Sequence, residues 1–263
     1  MATSHGRSPF RSPLALLALV GLALLAIPLA SLLIRVSWTT LGPDLQTAGA
    51  KDAIWLSIRT TLTTVALCLL LGTPLAWVLA RSEGRWVPWV RAVVTVPLVL
   101  PPVVGGVALL LAWGRTGVIG GPLYDWFGWR LPYNWSRVVI AEVFVALPFF
   151  VLAVEGAMRS LDPRYDDIAS TLGATPTRTF SRVVIPQVLP GIAAGAMLAW
   201  ARALGEFGAT ITFAGSFPGT TQTAPLAVYQ ALDVDQNAAT ALAVIMLLVC
   251  VVVLAALRGK WLR

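Results

Sequence analysis

Residues 238–257 read AATALAVIMLLVCVVVLAAL, twenty positions without a charged side chain. An α-helix rises about 1.5 Å per residue, so this stretch alone reaches across the roughly 30 Å hydrocarbon core of a bilayer. In that medium each backbone N–H and C=O must find its partner inside the segment, which a helix provides. Moving towards the N-terminus, five further apolar runs follow the same logic. Residues 189–213 carry Arg202 and Glu206 in their body, and residues 138–154 carry Glu142 near one end. Residues 92–113 are interrupted by Pro97, Pro101, Pro102, Gly105 and Gly106, and residues 60–79 contain several threonines able to bond backbone carbonyls. Residues 14–34 are again free of charge. The expectation is an all-α integral membrane protein with six spans.

Composition agrees. Of 263 residues 57% are apolar and 12% charged, with a mean hydropathy of +0.80. Soluble domains carry about 25% charge, and disorder requires low hydrophobicity, so both classes are excluded. Cys68 and Cys250 lie inside apolar runs and His5 stands alone, leaving no disulfide framework and no His/Cys metal set.

Arg7 and Arg11 precede the first apolar run as they would in a secretion signal, but the run continues to Ile34, beyond a signal core of about 7–15 residues. It is read as a retained span. With the N-terminus inside, the inner segments hold Arg7, Arg11, Arg81, Arg85, Arg91, Arg159, Arg164, Arg178, Arg182, Arg258, Lys260 and Arg263. The outer ones hold Arg35, Lys51, Arg59, Arg115, Arg130 and Arg137. Twelve against six places both termini in the cytoplasm by the positive-inside rule. The chain then divides into an N-terminal part (1–53), a membrane-spanning body (54–257) and a basic tail (258–263). The outer segment 114–137 contains Tyr124, Trp126, Trp129, Tyr133 and Trp135. These suit an interfacial or re-entrant helix, with solute stacking as the alternative. The net charge of +7 reads first as attraction to anionic lipid and second as steering of an anionic solute.

Catalytic motifs are missing. Lys51 is followed by Asp52 and Lys260 by Trp261, so no phosphate-cradling Gly-x-x-x-x-Gly-Lys-Ser/Thr loop exists. There is no Gly-x-Ser-x-Gly elbow and no His-Glu-x-x-His pair. The chain is not expected to be an enzyme, and its energy must come from a gradient or from another polypeptide.

The inner loop 155–187 carries the most information. Asp162-Pro163 starts a helix, Asp as cap and Pro at the first position. Tyr165, Ile168, Ala169 and Leu172 then form an apolar stripe, with Arg164, Asp166, Asp167, Ser170 and Thr171 on the other faces. Gly173 stops the helix, Thr175-Pro176 starts a second one, and Pro186 ends or bends it before the fifth span. Such a helix–Gly–helix either lies on the inner leaflet or inserts its stripe into a groove of a soluble partner.

Asp167-Ile168-Ala169, three residues, Gly173, nine residues, then Val183-x-Ile185-Pro186 resembles the EAA loop of the ABC importer permeases. The family pattern has Glu-Ala-Ala and Ile-x-Leu-Pro; here Asp, Ile168, Val183 and Ile185 are the departures, with the spacing intact. Leu71-Gly72-Thr73-Pro74-Leu75-Ala76-Trp77 is also similar to the family. The resemblance implies a six-helix type I permease in the cell membrane, acting as a homodimer with two ABC ATPase subunits beneath. Asp167, Ile168, Ala169, Gly173, Ala174, Thr175 and Pro176 would then form the coupling loop that docks on the ATPase. ATP and Mg would be used by that partner, with no cofactor bound by this chain.

In the fifth span Arg202 and Glu206 stand four apart and are able to pair on one helical face. Gly191, Gly195, Ala199 and Ala203 offer small contact surfaces. The pair either fixes packing or lines the path; Gly205 and Gly208 allow close approach or flexing. Arg202-Ala-Leu-Gly205-Glu206-Phe207-Gly208-Ala-Thr210-Ile-Thr-Phe213, with Pro218-Gly-Thr-Thr-Gln-Thr223 and Pro225-Leu-Ala-Val-Tyr229, is similar to the molybdate permeases of that family. This resemblance implies molybdate transport with an extracytoplasmic molybdate-binding protein, and makes Arg202, Gly205, Glu206, Phe207, Gly208 and Thr210 candidates for the path or gate. Thr210, Thr212, Thr220, Thr221 and Thr223 offer hydroxyls to a tetrahedral oxyanion. The outer segment 215–237, with Asp233 and Asp235 and no Lys or Arg, is either a docking surface or a solvated loop. Rival readings are the same machine carrying sulfate, thiosulfate or tungstate, a gradient-driven transporter using Glu206 or Glu142 as proton site, and a membrane enzyme.

Overall fold

The computed structural model describes residues 13–46, 49–128, 131–162 and 164–261. Arg7, Arg11, Trp129, Arg130, Pro163 and Arg263, used above, lie outside the described residues. Among the described residues every regular element is helical. In chain order they are α1 (Pro13–Arg35), α2 (Leu41–Gln46) and α3 (Ala50–Leu67), which runs through a π turn (Cys68–Gly72) into α4 (Thr73–Arg81). Next come α5 (Val87–Val99), α6 (Pro102–Trp113), α7 (Gly120–Phe127), α8 (Trp135–Arg159) and α9 (Arg164–Thr171). Then α10 (Pro176–Thr179) passes through a second π turn (Phe180–Val184) into α11 (Ile185–Leu204), followed by α12 (Gly208–Phe213), α13 (Ala224–Val234) and α14 (Gln236–Trp261).

Among the described residues five helices are long and apolar enough to cross a membrane: Ala15–Arg35, Ala50–Arg81, Trp135–Arg159, Pro176–Leu204 and Gln236–Ala255. The expected third span is instead two shorter apolar helices, α5 and α6. Leu100 and Pro101 between them are extended, with ψ of 129° and 132°. Each precedes a proline, whose ring pushes the residue before it out of the helical region. The fifth span is also redrawn. Its helix begins at Pro176, so the second helix of the inner loop is the start of the span, and it ends at Leu204, short of residue 213. Pro186 does not end it: the π turn just before takes up the register change that a missing proline N–H imposes. Within the segment 215–237, Ala224–Val234 is helix α13, and Ala224 N–H donates to Ser57 Oγ at 2.7 Å.

Helix α8 is the core, packed by α3, α4, α5, α11 and α12. Val138, Ala141, Val145, Ala146, Phe150, Val154 and Met158 recur at helical spacing and are buried. Phe150 fills the contact to both neighbours: a Cβ on Gly72 would stand 2.5 Å from its ring, and one on Gly195 3.3 Å. Gly191 likewise admits Ala157, so the small residues of the fifth span do set the α8–α11 approach. Because α8 spans 25 residues, about 37 Å by rise, α7 before it and α9 after it lie at opposite ends of the bundle.

Candidate functional site

The end of the bundle that carries α9 holds the most finished local chemistry. Asp162 Oδ1 accepts from Arg164 N at 2.9 Å and caps the helix start. At the other end Gly173 has φ +75°, a left-handed conformation that glycine adopts without a Cβ penalty. Ala174 N donates to Ala169 O and Gly173 N to Ser170 O, both at 2.9 Å. That pair of bonds is a Schellman termination. Thr175 Oγ1 then accepts from Arg178 N at 3.4 Å, and Pro176 opens the next helix.

These caps hold an apolar stripe in the open. Tyr165, Ile168 and Leu172 are 46%, 56% and 81% exposed, whereas Ala169 is buried. Asp166 pairs with Arg81 at 2.8 Å and so ties α9 to the end of α4. Behind it, Glu155, nearly fully buried, accepts from Arg91 at 2.5 Å and Arg159 at 2.9 Å, while Arg159 also donates to Leu79 O at 3.0 Å. The ends of α4, α5 and α8 are thereby locked together beside α9. Glu155, read from sequence as the start of the loop, belongs to α8.

The second set lies at the α11–α12 break. Arg202 and Glu206 do pair, at 2.6 Å, but Glu206 stands beyond the end of α11 and not on a continuous helical face. Its other oxygen accepts from Ala209 N at 2.7 Å, capping α12. One carboxylate thus bridges two helix ends and satisfies one of the free amides at the start of α12. Gly208 is needed for close approach: a Cβ would lie 2.7 Å from Pro102 Cβ, at the start of α6. Gly205 has no such constraint, with a φ of −88° and its nearest neighbour 3.7 Å away. Phe207 packs on Tyr229, ring centroids 5.1 Å apart. Of the hydroxyls suggested for an oxyanion, Thr212 donates to Gly208 O and Thr221 accepts from Phe217 N. Thr210 and Thr223 are buried, each with an Oγ1 that has no partner among the described residues.

One arrangement was hidden in the sequence. Thr61 and Thr63 do bond backbone carbonyls, but Thr60 and Thr64 donate to the two oxygens of Glu142, each at 2.8 Å. The i, i+4 spacing of two threonines opposite a lone acid in another span was the available signal. Thr64→Val leaves one carboxyl oxygen of buried Glu142 without its donor, and is expected to cost about 1–3 kcal/mol. It is read as a lower melting temperature of the purified protein; an unchanged value would show that the bond carries no stability.

Comparison with known proteins places this geometry. The family model described as "Binding-protein-dependent transport system inner membrane component" matches residues 72–260. The "Molybdenum transport system permease protein ModB" of Mycobacterium bovis is 45% identical over 236 residues, covering 90% of this chain and 89% of the relative. The protein of the same name from Escherichia coli (strain K12) is 38% identical over 211 residues, covering 80% and 92%. A solved bacterial ABC transporter involved in import of the acidic polysaccharide alginate superposes with a TM-score of 0.74 at 19% identity, covering 94% of this chain and 93% of that one; it shares the fold. The family model and the sequence identity agree, and the chain belongs to the family of binding-protein-dependent transport system inner membrane components.

Proposed function

We propose that this chain is the membrane-spanning subunit of an ATP-driven importer for molybdate, delivered by an extracytoplasmic binding protein. The observation that carries the reading is the exposed Tyr165–Ile168–Leu172 stripe, held by caps on both sides and backed by the Arg81–Asp166 pair. An apolar stripe of this kind is built to enter a groove of a soluble partner. With no phosphate loop in the chain, that partner is the ABC ATPase, which uses ATP and Mg. Two copies of this chain would enclose one central path, with two ATPases beneath and lipid around. Closure of the ATPases moves α9, and α9 moves α4, α5 and α8 through Arg81, Glu155 and Arg159. The molybdate assignment is supported by the 45% identity with the ModB relative across nine-tenths of the chain.

Uptake of labelled molybdate into cells with and without this chain, binding protein and ATPase being present in both, tests the reading. Expected is chain-dependent uptake that ATP depletion abolishes and unlabelled tungstate, but not sulfate, blocks. Accumulation of sulfate instead would keep the machine and change the cargo. Uptake that survives ATP loss but collapses with the proton gradient would remove the importer reading.

A further inference from the structure

At the end of the bundle opposite α9, the close of α6, the start of α7 and the start of α8 enclose a cavity of about 550 Å³. Arg115 and Arg137 line it together with Trp113, Gly120, Leu131 and Tyr133, and no carboxylate is among its described lining residues. Arg137 is only 3% exposed. The ion pairs among the described residues belong to Arg81, Arg91, Arg159 and Arg202. Arg137 has instead two backbone carbonyls, Leu131 O at 3.1 Å and Phe213 O at 3.4 Å, and the ring of Tyr133 at 3.4 Å. Its Nε–H has no acceptor among the described residues.

A guanidinium carries five N–H donors and a full charge. Carbonyl dipoles and a ring face hold its position but leave the charge without a counter-ion, which is costly in a buried site. Arg115 adds a second positive charge to the same cavity, its guanidinium 4.7 Å above the ring of Tyr124. The first turn of the eight-residue helix α7 begins at Gly120 on the cavity wall, the end where a helix favours anions. Two cations, a free donor and no acid define a host for an anion. At roughly 30 Å³ per water, the volume holds a tetrahedral dianion with part of its hydration shell.

We propose that Arg137 and Arg115 form a tetrahedral-oxyanion site in this cavity, at the far end of the bundle from α9. That the oxyanion is molybdate rests on the function proposed above. A lipid phosphate presents the same chemistry, and the experiment separates the two sources.

The test uses the purified permease–ATPase complex without binding protein, in nanodiscs of phosphatidylcholine, titrated by calorimetry with molybdate, sulfate and phosphate. Parallel discs contain phosphatidylglycerol, whose retention is read by mass spectrometry. Expected is molybdate binding weakened at least about tenfold in both Arg137→Gln and Arg115→Gln, each variant losing one charge-assisted contact. Because Arg115 is exposed, its variant carries the test should Arg137→Gln fail to fold. Sulfate bound in place of molybdate with the same arginine dependence would keep the site and remove the molybdate reading. Arginine-dependent retention of phosphatidylglycerol alone would keep the site and make lipid its ligand. No arginine-dependent binding of any free anion or lipid would overturn the proposal.

Discussion

Replacing Ala169 or Gly173 by aspartate is expected to leave the protein in the membrane and to abolish both uptake and stimulated ATPase activity. Helix α9 lies outside the spans, so neither change alters an apolar segment needed for insertion. Ala169 is buried behind the exposed stripe, so a carboxylate there is taken out of water at the base of the docking face. At Gly173 the chain has φ +75°, where a side chain costs about 1–2 kcal/mol and the new charge meets the docking face. Loss of a docking centre is worth at least about 2 kcal/mol, roughly thirtyfold in partner affinity. Gly173→Asn separates shape from charge: asparagine tolerates the left-handed conformation, so its coupling should remain near that of the parent. ATPase stimulation that survives in either aspartate variant would end the assignment of α9 as the coupling element.

The second large effect concerns Arg202 and Glu206. Arg202→Gln strands a carboxylate whose side chain is 1% exposed, and breaking such a pair costs about 3–5 kcal/mol. With the Arg202 side chain itself 25% exposed, the lower end of that range, about 3 kcal/mol, is expected. Glu206→Gln should be milder, because its amide oxygen still accepts from Ala209 N and caps α12, and the arginine it releases is less buried than the carboxylate, 25% against 1% exposed. The double variant should therefore be more stable than Arg202→Gln alone. Thermal unfolding of the purified protein in detergent measures all three. Strictly additive losses would mean that the two side chains do not act on each other.

Membrane class, helical content and the positions of the main spans were determined by the sequence itself, because a 20-residue apolar helix satisfies its own backbone and needs no neighbour to exist. The start and stop of α9 were equally legible: Asp162, Gly173, Thr175 and Pro176 act within a turn of their own position, so a local reading suffices. The breaks were less so. Residues 92–113 displayed their prolines openly, but whether they kink a helix or divide it depends on what the two halves pack against. Gly208 seated on Pro102 supplies that contact for α6 and α12. At residues 205–207 the sequence allowed a continuous helix, and the tertiary structure chose a break in which Glu206 serves two helix ends.

What only the tertiary structure decided is which polar side chains meet. Glu142 and the Thr60–Thr64 pair are about eighty residues apart. Glu155 gathers arginines from α5 and from its own helix, and Arg137 meets one carbonyl just before α8 and one at the end of α12, with no acid among the described residues paired to it. Burial makes each of these contacts strong, and burial is a property of the assembled bundle. Hydrophobic periodicity identifies the helices, but the partner a buried charge finds depends on how those helices are set against each other.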